Sequence, residues 1–257
     1  MVREKIAFVN QKGGVGKTTT AVSLAAALGR QGDSVLLIDL DPQANATSAA
    51  GIGEVVGPSI YEALMMEVEV GECVVRVEDE QFDVLPATRE LSGAEVELAS
   101  AMAREQRLKT VCEPLSAKYD WIFIDSPPSL GILSVNALTA ATSVVIPVQC
   151  EYLSMEGLAR LMETLALVRV NLNPVLRTLG LVLTMLDQRT RLAREVAADV
   201  RTHFPDQTFN TVIPRSVSIA EAPSYGQSIF RYSPESRAAI AYRRLATELT
   251  ERVGVSA

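Results

Sequence analysis

Histidine and cysteine are scarce in this chain of 257 residues, and their scarcity excludes several kinds of site. The one histidine, His203, lies in a stretch with helical spacing and has no nucleophile signature beside it, which argues against catalysis by a histidine base. The three cysteines are widely separated and form no C-x-x-C pair, so zinc sites, haem attachment and a disulfide framework are not expected. This usage is typical of a cytosolic protein.

Long hydrophobic runs are also missing. The first apolar run covers only Ile6 to Val9, whereas a secretory signal needs about 7–15 apolar residues and a membrane span about 18. With 24 Lys+Arg against 31 Asp+Glu, the formal net charge of −7 argues mildly against a nucleic-acid partner, although it leaves a local basic patch open. We therefore expect a cytoplasmic protein that does not associate with a membrane.

Short apolar runs rich in β-formers alternate with longer helical patterns along the chain. Runs that are apolar almost throughout are typical of strands buried on both faces of a sheet. The alternation predicts an α/β fold, a doubly wound and mostly parallel sheet with helices on both faces, in a single domain over residues 1–257. The predicted strands are 5–9, 34–38, 82–85, 121–124, 143–147, 178–184 and 211–213. The predicted helices are 18–31, 93–118, 133–141, 155–171, 192–203 and 234–253, and residues 51–80 are expected to be irregular.

The segment QKGGVGKTT, residues 11–19, follows a predicted strand and opens a predicted helix, which is the context that a phosphate-binding loop requires. Glycines let backbone N–H groups turn around an anion, and the helix N-terminus adds partial positive charge. We expect Lys17 to reach the β- and γ-phosphates, Thr18 to offer its hydroxyl to Mg²⁺ and Thr19 to reach the α-phosphate. The other predicted nucleotide-binding residues of the loop are Lys12, Gly13, Gly14, Val15 and Gly16.

The loop departs from the general pattern G-x-x-x-x-G-K-[ST] at its beginning. Gln11 stands where the first glycine belongs, and Lys12 adds a second lysine. A second cation at the mouth of the loop either stays solvated or reaches a phosphate on a facing molecule. The residues alone leave both possibilities open.

Two apolar strands end in carboxylates, and ligands bind at the carboxyl ends of strands in open α/β sheets. Asp125 ends the strand WIFI as a Walker-B aspartate does, so it is predicted to hold Mg²⁺. Asp41 is predicted to position the hydrolytic water, whereas Asp39 either contributes to the metal shell or holds the loop. For all three, the alternative is a helix N-cap.

These segments resemble the deviant-Walker ATPases of the ParA/Soj/MinD group. The resemblance rests first on KGGVGKTTTAVSLAAAL and LLIDLDPQANAT, and it extends from about residue 4 to about residue 250. Four later segments are similar to chromosomal ParA (Soj) proteins: LPATRELSGAEVELA, IDSPPSLGILSVNALTAATSVVIPVQCEYLSMEGL, LTMLDQRTRL and IPRSVSIAEAPSYGQSIFRY. The resemblance implies a P-loop NTPase of the deviant-Walker type that hydrolyses ATP with Mg²⁺.

The resemblance also assigns roles at matching positions. It implies that Lys12 crosses a homodimer interface to the partner's nucleotide, that Gly13 packs at this interface and that Asp41 is needed for hydrolysis. Pro214 and Ser216 match the adenine-side loop, although Ser216 stands where asparagine is common. Thr184 and Met185 are expected to flank the base.

The function implied by the resemblance is DNA segregation. The ATP-bound dimer is expected to bind double-stranded DNA without sequence preference at the nucleoid, and a ParB-type protein is expected to stimulate hydrolysis and release. The predicted DNA-binding residues are Arg189, Arg215 and Arg231, with Arg191 and Arg194 as weaker candidates. For arginines on a helix face the alternative is simple solvation. Ser218 stands where relatives often carry arginine.

The alternative function is that of a membrane-surface positioning ATPase of the MinD type. A membrane-targeting helix needs cations and bulky apolar residues. The predicted last helix lacks Trp and Phe and carries Glu248 and Glu251, so we expect it to pack on the core.

No helix-turn-helix precedes the first strand, and sequence-specific operator binding is not expected. Phosphoryl transfer to a small acceptor is disfavoured because no acceptor base is evident.

Overall fold

In the computed structural model, which describes residues 2–151 and 154–255, eight strands form one sheet. The strands are β1 (Glu4–Phe8), β2 (Val35–Asp39), β3 (Val75–Val77), β4 (Phe82–Leu85), β5 (Trp121–Asp125), β6 (Ser143–Gln149), β7 (Arg177–Leu186) and β8 (Thr208–Pro214). Their order across the sheet is β3-β4-β2-β5-β1-β6-β7-β8. Every neighbouring pair is parallel except β3 and β4, which are antiparallel. The predicted mostly parallel sheet is confirmed.

Helices cover both faces of the sheet. They are α1 (Lys17–Gly29), α2 (Asn45–Ala49), α3 (Ile60–Met65), α4 (Leu91–Leu98), α5 (Arg107–Cys112), α6 (Ile132–Ala140), α7 (Ser154–Asn171), α8 (Arg191–His203), α9 (Val217–Glu221), α10 (Ile229–Tyr232) and α11 (Arg237–Val255). Successive side chains of a strand point to opposite faces. Ile6 and Phe8 of β1 therefore belong to the core that includes α1 and α11, whereas Ala7 and Val9 belong to the core that includes α5, α6 and α7.

The chain reverses its direction of winding at β1. This strand lies between β5 and β6, so the loop that follows it opens at the topological switch point, where open α/β sheets bind ligands. The parallel register also brings two predicted site residues together, because Asp39 and Asp125 are paired positions on β2 and β5.

The predicted helix over residues 93–118 is instead two helices, α4 and α5. Between them Ala103 adopts a left-handed φ of 51°, which ends the helical path. Asn136 of α6 stabilises the break, since its side chain accepts a hydrogen bond from the Leu108 N–H (3.0 Å) and donates one to the Arg104 carbonyl (2.8 Å). Long-range hydrogen bonds thus override a helical pattern that was correct for each half.

Residues 51–80 are less irregular than expected. Helix α3 begins with a capping box, in which the Ser59 hydroxyl accepts from the Tyr61 N–H and the Glu62 carboxylate accepts from the Ser59 N–H. Strand β3 was missed because it has only three residues and lies half-exposed at the sheet edge.

The last helix packs on the core, as predicted. Leu245, Leu249 and Val253 are buried, whereas Ile240 is 39% exposed. In the part of the chain that the structure describes, no helix has both the length and the apolar character that crossing a membrane requires.

Candidate functional site

The phosphate loop joins β1 to α1 and depends on glycine at two positions. Gly14 and Gly16 have left-handed φ values of 73° and 89°, which a side chain would make unfavourable. Gly13 differs from both, because a Cβ there would meet no atom within 4 Å and its φ is not left-handed. The chain's own packing therefore does not explain a glycine at position 13.

Hydrogen bonds fix the loop to the ends of two strands beyond β1. The buried hydroxyl of Thr184, on β7, donates to the Val15 carbonyl (2.8 Å). Asn10 accepts from the Lys12 N–H (3.0 Å) through Oδ1 and donates to the Pro147 carbonyl of β6 (2.7 Å) through Nδ2. Side chains from β7 and from the end of β1 thus hold the loop backbone.

Lys17 begins α1 and is nearly buried, with 7% of its surface exposed. Its Nζ lies 3.5 Å from the Lys12 carbonyl oxygen, inside the curve of the loop. Burial lowers the pKa of Lys17, and the negative charges of Asp125 and Asp41 oppose this shift. An anion bound in the loop would favour the charged form of this lysine.

Thr18, in the first turn of α1, lies beside Asp125, at the end of β5. The Thr18 hydroxyl donates to Oδ2 of Asp125 at 2.6 Å. Oδ1 of Asp125 is buried and has no hydrogen-bond partner among the described residues. Burial, reinforced by Asp39, raises the pKa of Asp125 well above its usual range. An orphaned carboxylate oxygen beside a hydroxyl fits a hard divalent cation, which would stabilise the ionised form.

Asp39 is buried and its carboxylate is occupied by the protein itself. Oδ2 accepts from the N–H (2.8 Å) and the hydroxyl (2.7 Å) of Thr47, and Oδ1 accepts from the Asp41 N–H (3.1 Å). Burial raises the pKa of Asp39 to about 6 despite these bonds. Of its two predicted roles, the contacts favour holding the loop over ligating a metal, because both oxygens are already engaged.

Asp41 lies on the loop that Asp39 holds. Its Oδ1 accepts from the Gln43 N–H (3.0 Å), and the side chain is close enough to Lys17 to influence the lysine's pKa. The loop is further tied to the end of β4, since the Thr47 hydroxyl accepts from the Ala87 N–H (3.0 Å). Asp41 thus faces the phosphate loop on a braced backbone.

The second lysine of the loop points away from the phosphate cradle. The Lys12 side chain is 41% exposed, and its Nζ lies 2.8 Å from Oε2 of Glu151. Gln149 donates to the other oxygen of this carboxylate (2.7 Å). The carbonyl of Lys12 faces Lys17 while its side chain reaches the surface, as a contact with a second molecule requires.

The predicted base-side residues lie at the ends of β7 and β8. Thr184 contacts the phosphate loop, and Met185 has a left-handed φ of 52°, a strained conformation of the kind that clusters at functional sites. The N–H of Arg215 donates to the Leu186 carbonyl (3.3 Å), which joins the two strand ends. Pro214 and Ser216 line a cavity of about 1330 Å³ that contains no residue of the phosphate loop.

We call this cavity the arginine groove. It lies between the ends of β7 and β8 and helices α9 and α11, and its charged lining residues are Asp187, Arg189, Arg215, Arg237 and Arg244. The structure thus brings the predicted Arg189 and Arg215 together. It also includes Arg237 and Arg244, which the sequence analysis did not single out.

Arg231 does not join the other predicted DNA-binding arginines. It lies on α10 and pairs with Asp79 (2.7 Å), on the turn between β3 and β4 at the opposite edge of the sheet from β8. The structure therefore does not bring Arg231 together with Arg189 and Arg215, and its role in binding DNA stays a prediction. Arg191 pairs with Glu195 one turn along α8 (2.6 Å), and Arg194 is exposed on the same helix.

Sequence reasoning missed the residues that brace the site. Thr47 and Glu151 lie within segments that carry the family resemblance, and Asn10 lies two residues before one, but hydroxyl, amide and carboxylate side chains of this kind are common in loops. Their roles depend on partners far away in sequence, such as Ala87, Pro147 and Lys12. Only the fold reveals these pairings.

A family model described as an AAA domain matches residues 3–178. The chain is 50% identical over 245 residues to the sporulation initiation inhibitor protein Soj of Bacillus subtilis, covering 95% of this chain and 97% of that protein. It is 51% identical over 250 residues to the chromosome-partitioning ATPase Soj of Thermus thermophilus, covering 97% and 96%.

A solved structure shares the fold over the whole chain. The Mycobacterium smegmatis protein described as cobyrinic acid a,c-diamide synthase, crystallised with ADP and magnesium, has a TM-score of 0.87 and 37% sequence identity, covering 100% of this chain and 97% of that one. Together with the phosphate loop and its two lysines, these similarities establish the family. The chain belongs to the AAA-domain family and, within it, to the Soj/ParA chromosome-partitioning ATPases.

Proposed function

We propose that this protein is a Mg²⁺-dependent ATPase that drives DNA segregation by switching between a monomer and an ATP-bound dimer on DNA. One observation carries the proposal. A braced phosphate loop with an outward-facing second lysine lies beside buried carboxylates, in a chain about half identical to partition proteins over nearly its full length.

The nucleotide would bind with its phosphates in the loop at the N-terminus of α1. The backbone N–H groups around Gly14 and Gly16 and the Lys17 ammonium supply positive charge there. Thr19 lies half-buried in the first turn of α1, where a hydroxyl can reach an α-phosphate. Pro214 and Ser216 would form the adenine side, at the end of β8, which pairs with the strand that Thr184 links to the loop.

Thr18 and Asp125 would hold Mg²⁺, whose charge offsets the charge of the β- and γ-phosphates when it is bound. Asp39 would act indirectly by bracing the loop that carries Asp41. Within the described residues no three His, Cys, Asp or Glu side chains gather as a metal site. The cation would therefore depend on hydroxyl, carboxylate, phosphate and water oxygens, which Mg²⁺ prefers.

Hydrolysis needs a water molecule in line with the γ-phosphate. Asp41 would accept a hydrogen bond from this water and orient its oxygen toward the γ-phosphorus. The new P–O bond forms as the bond to the β–γ bridging oxygen breaks, ADP carries away the bridging oxygen, and the water proton is released to solvent. Lys17, together with Lys12 of a second protomer, would stabilise the negative charge that develops on the transferred group.

Dimer formation would place Lys12 of one protomer against the nucleotide of the other. Gly13 supports this arrangement, because its lack of a side chain has no cause within the chain and would be explained by close approach of a second copy. The dimer would bind double-stranded DNA without sequence preference, and a ParB-type protein would stimulate hydrolysis and release.

Co-sedimentation with a non-hydrolysable ATP analogue tests this function against the membrane-positioning alternative. We expect the protein to bind random-sequence duplex DNA and not to bind vesicles of anionic phospholipid. Binding to the vesicles and not to DNA would reverse the assignment. Loss of DNA binding when ADP replaces the analogue is the second expected result, and equal binding with both nucleotides would contradict the switch.

A further inference from the structure

Helix α2, which follows the loop that carries Asp41, has no capping side chain of its own. The residue before the helix, Ala44, adopts a left-handed φ of 53° and offers no side-chain oxygen to the first turn. A carboxylate from β2 takes this place, because Oδ2 of Asp39 accepts from the N–H of Thr47 (2.8 Å), the third residue of α2. The helix is thus attached to the strand that precedes the loop.

The Thr47 hydroxyl makes two further hydrogen bonds, one as donor and one as acceptor. It donates to Oδ2 of Asp39 (2.7 Å) and accepts from the N–H of Ala87 (3.0 Å), the second residue after β4. All three residues are buried, so water cannot easily replace these bonds. Among side chains of this size, a hydroxyl is the group that donates and accepts through one atom.

Asp41 depends on the same carboxylate. Its N–H donates to Oδ1 of Asp39 (3.1 Å), whereas Thr47 binds Oδ2. The two oxygens belong to one planar group, so a rotation of that group about its last bond would move both contacts together. The position of the Asp41 backbone is therefore set through Asp39 by Thr47 and, beyond Thr47, by the end of β4.

The Asp41 side chain keeps one oxygen available. Oδ1 accepts from the Gln43 N–H (3.0 Å), whereas no group of the described residues donates a hydrogen bond to Oδ2. Asp41 is only 7% exposed, and its charge opposes the lowering of the pKa of Lys17. Oδ2 can accept from a water molecule beside the phosphate loop, and the loop backbone decides where this oxygen lies.

We propose that Thr47 is a positioning residue for ATP hydrolysis, which acts through Asp39 to place the Asp41 carboxylate for the attacking water. This inference rests on the proposed role of Asp41 and adds the residue that holds it in place. Position matters because a displacement of about 1 Å can cost about a hundredfold in rate. The Thr47 hydroxyl makes both of its bonds to buried protein groups, so its effect reaches the reaction only through Asp39 and Asp41.

The substitution Thr47→Val alters this chain of contacts in a defined way. A methyl group replaces the hydroxyl, the Ala87 N–H loses its acceptor and Asp39 loses one of its three donors. The Thr47 N–H still binds Asp39, so the carboxylate is held less firmly rather than released. The phosphate loop itself is not altered. We therefore expect a loss in kcat with little change in KM or in affinity for ATP.

Steady-state phosphate release with Mg²⁺ and ATP separates positioning from general stability. We expect Thr47→Val to lower kcat about tenfold, which is less than the loss when the Asp41 carboxylate is removed, and to leave KM within about twofold of the parent. Thr47→Ser keeps the hydroxyl and should restore kcat to within about twofold. If the valine variant does not fold, Thr47→Ala is measured with the same expectation, because it places no methyl group against the carboxylate.

The matched control is Thr208→Val. It removes a buried hydroxyl whose bond to the Phe204 carbonyl (2.8 Å) lies at the start of β8, at the opposite end of the sheet from the phosphate loop. We expect it to lower the unfolding temperature, as Thr47→Val does, and to keep the parent's kcat. A fall in kcat as large as that of Thr47→Val would make the effect one of stability and overturn the proposal.

The double variant Thr47→Val/Asp41→Ala tests the route of the effect. If Thr47 acts only through Asp41, this variant turns over ATP no more slowly than Asp41→Ala, because no carboxylate is left to position. A further tenfold loss would overturn the proposal, and so would a parental kcat in Thr47→Val while Asp41→Ala is slow. If Asp41→Ala itself turned over at the parent rate, the proposed role of Asp41 would fail together with this inference.

Discussion

Around Lys17 of the phosphate loop the charged side chains are buried, whereas in the arginine groove they are exposed and mostly unpaired. Asp39 has both oxygens engaged, and Lys17 lies under the loop with 7% of its surface exposed. In the groove only Arg189 has an aspartate partner among the described residues. Hydrogen bonds within the protein hold the buried groups in fixed positions, as a preorganised site for a small molecule requires. The arginines of the groove are exposed, as the proposed non-specific binding of DNA would require.

The largest effect is expected at the buried site, from Asp41→Ala. Loss of the carboxylate should slow ATP turnover by about a hundredfold, because the water is no longer oriented, while the phosphate contacts and therefore the ATP dimer persist. Turnover by phosphate release and mass by light scattering check this. Asp41→Asn is the matched control, since the amide oxygen still accepts from the Gln43 N–H. If the asparagine variant turned over at the parent rate, Asp41 would matter only for the turn.

Lys12→Ala should separate nucleotide binding from dimerisation. The side chain lies outside the cradle, so ATP affinity should stay within about threefold of the parent, whereas the ATP-dependent dimer should be lost. Calorimetry with ATP and light scattering with the analogue measure the two effects, and Lys109→Ala provides an exposed lysine on α5 as control. A Lys12→Ala protein that still dimerises would contradict a trans role for this lysine.

A smaller effect, on ATP affinity, is expected when the hydrogen bond between Thr184 of β7 and the phosphate loop is removed. Thr184→Val keeps the shape of the side chain but removes the hydrogen bond to the Val15 carbonyl. We expect ATP affinity to fall by about tenfold, because a buried carbonyl loses its partner and the loop is less well held. Thr184→Ser should restore affinity if the hydroxyl is what matters. Equal affinity in the valine variant and the parent would show that the loop holds its shape without β7.

The same contrast between the two regions explains what the sequence could predict. Strand–loop–helix order and the residues around Lys17, Thr18 and Asp125 are local patterns, and the parallel sheet brings them together at the ends of β1 and β5. Arg237 and Arg244 carry no local signal, because an arginine on an amphipathic helix is normally solvated. Their meaning depends on which loops lie opposite α11, and that is a property of the fold.

Contacts between residues distant in sequence also explain why one predicted helix and the position of one predicted arginine differ from expectation. The pattern over residues 93–118 is helical in both halves, and only the side chain of Asn136, distant in sequence, marks where the helix breaks. Arg231 was predicted to bind DNA with Arg189 and Arg215, yet α10 places it near the β3–β4 turn, where it pairs with Asp79. In both cases a contact distant in sequence decides the outcome.

The smallest predicted effect is a change in DNA affinity when Asp187, in the arginine groove, is altered. The hydrogen bonds from Arg189 lower the pKa of Asp187 to about 2, so the aspartate stays ionised and holds the arginine at neutral pH. Asp187→Asn keeps the shape but removes the charge, and we expect DNA affinity to rise by about two- to fivefold with a steeper salt slope. Asp79→Asn is the matched control, because Asp79 pairs with Arg231 outside the groove and its loss should leave affinity nearly unchanged. If Asp79→Asn strengthened DNA binding as much as Asp187→Asn, the gain would come from net charge alone.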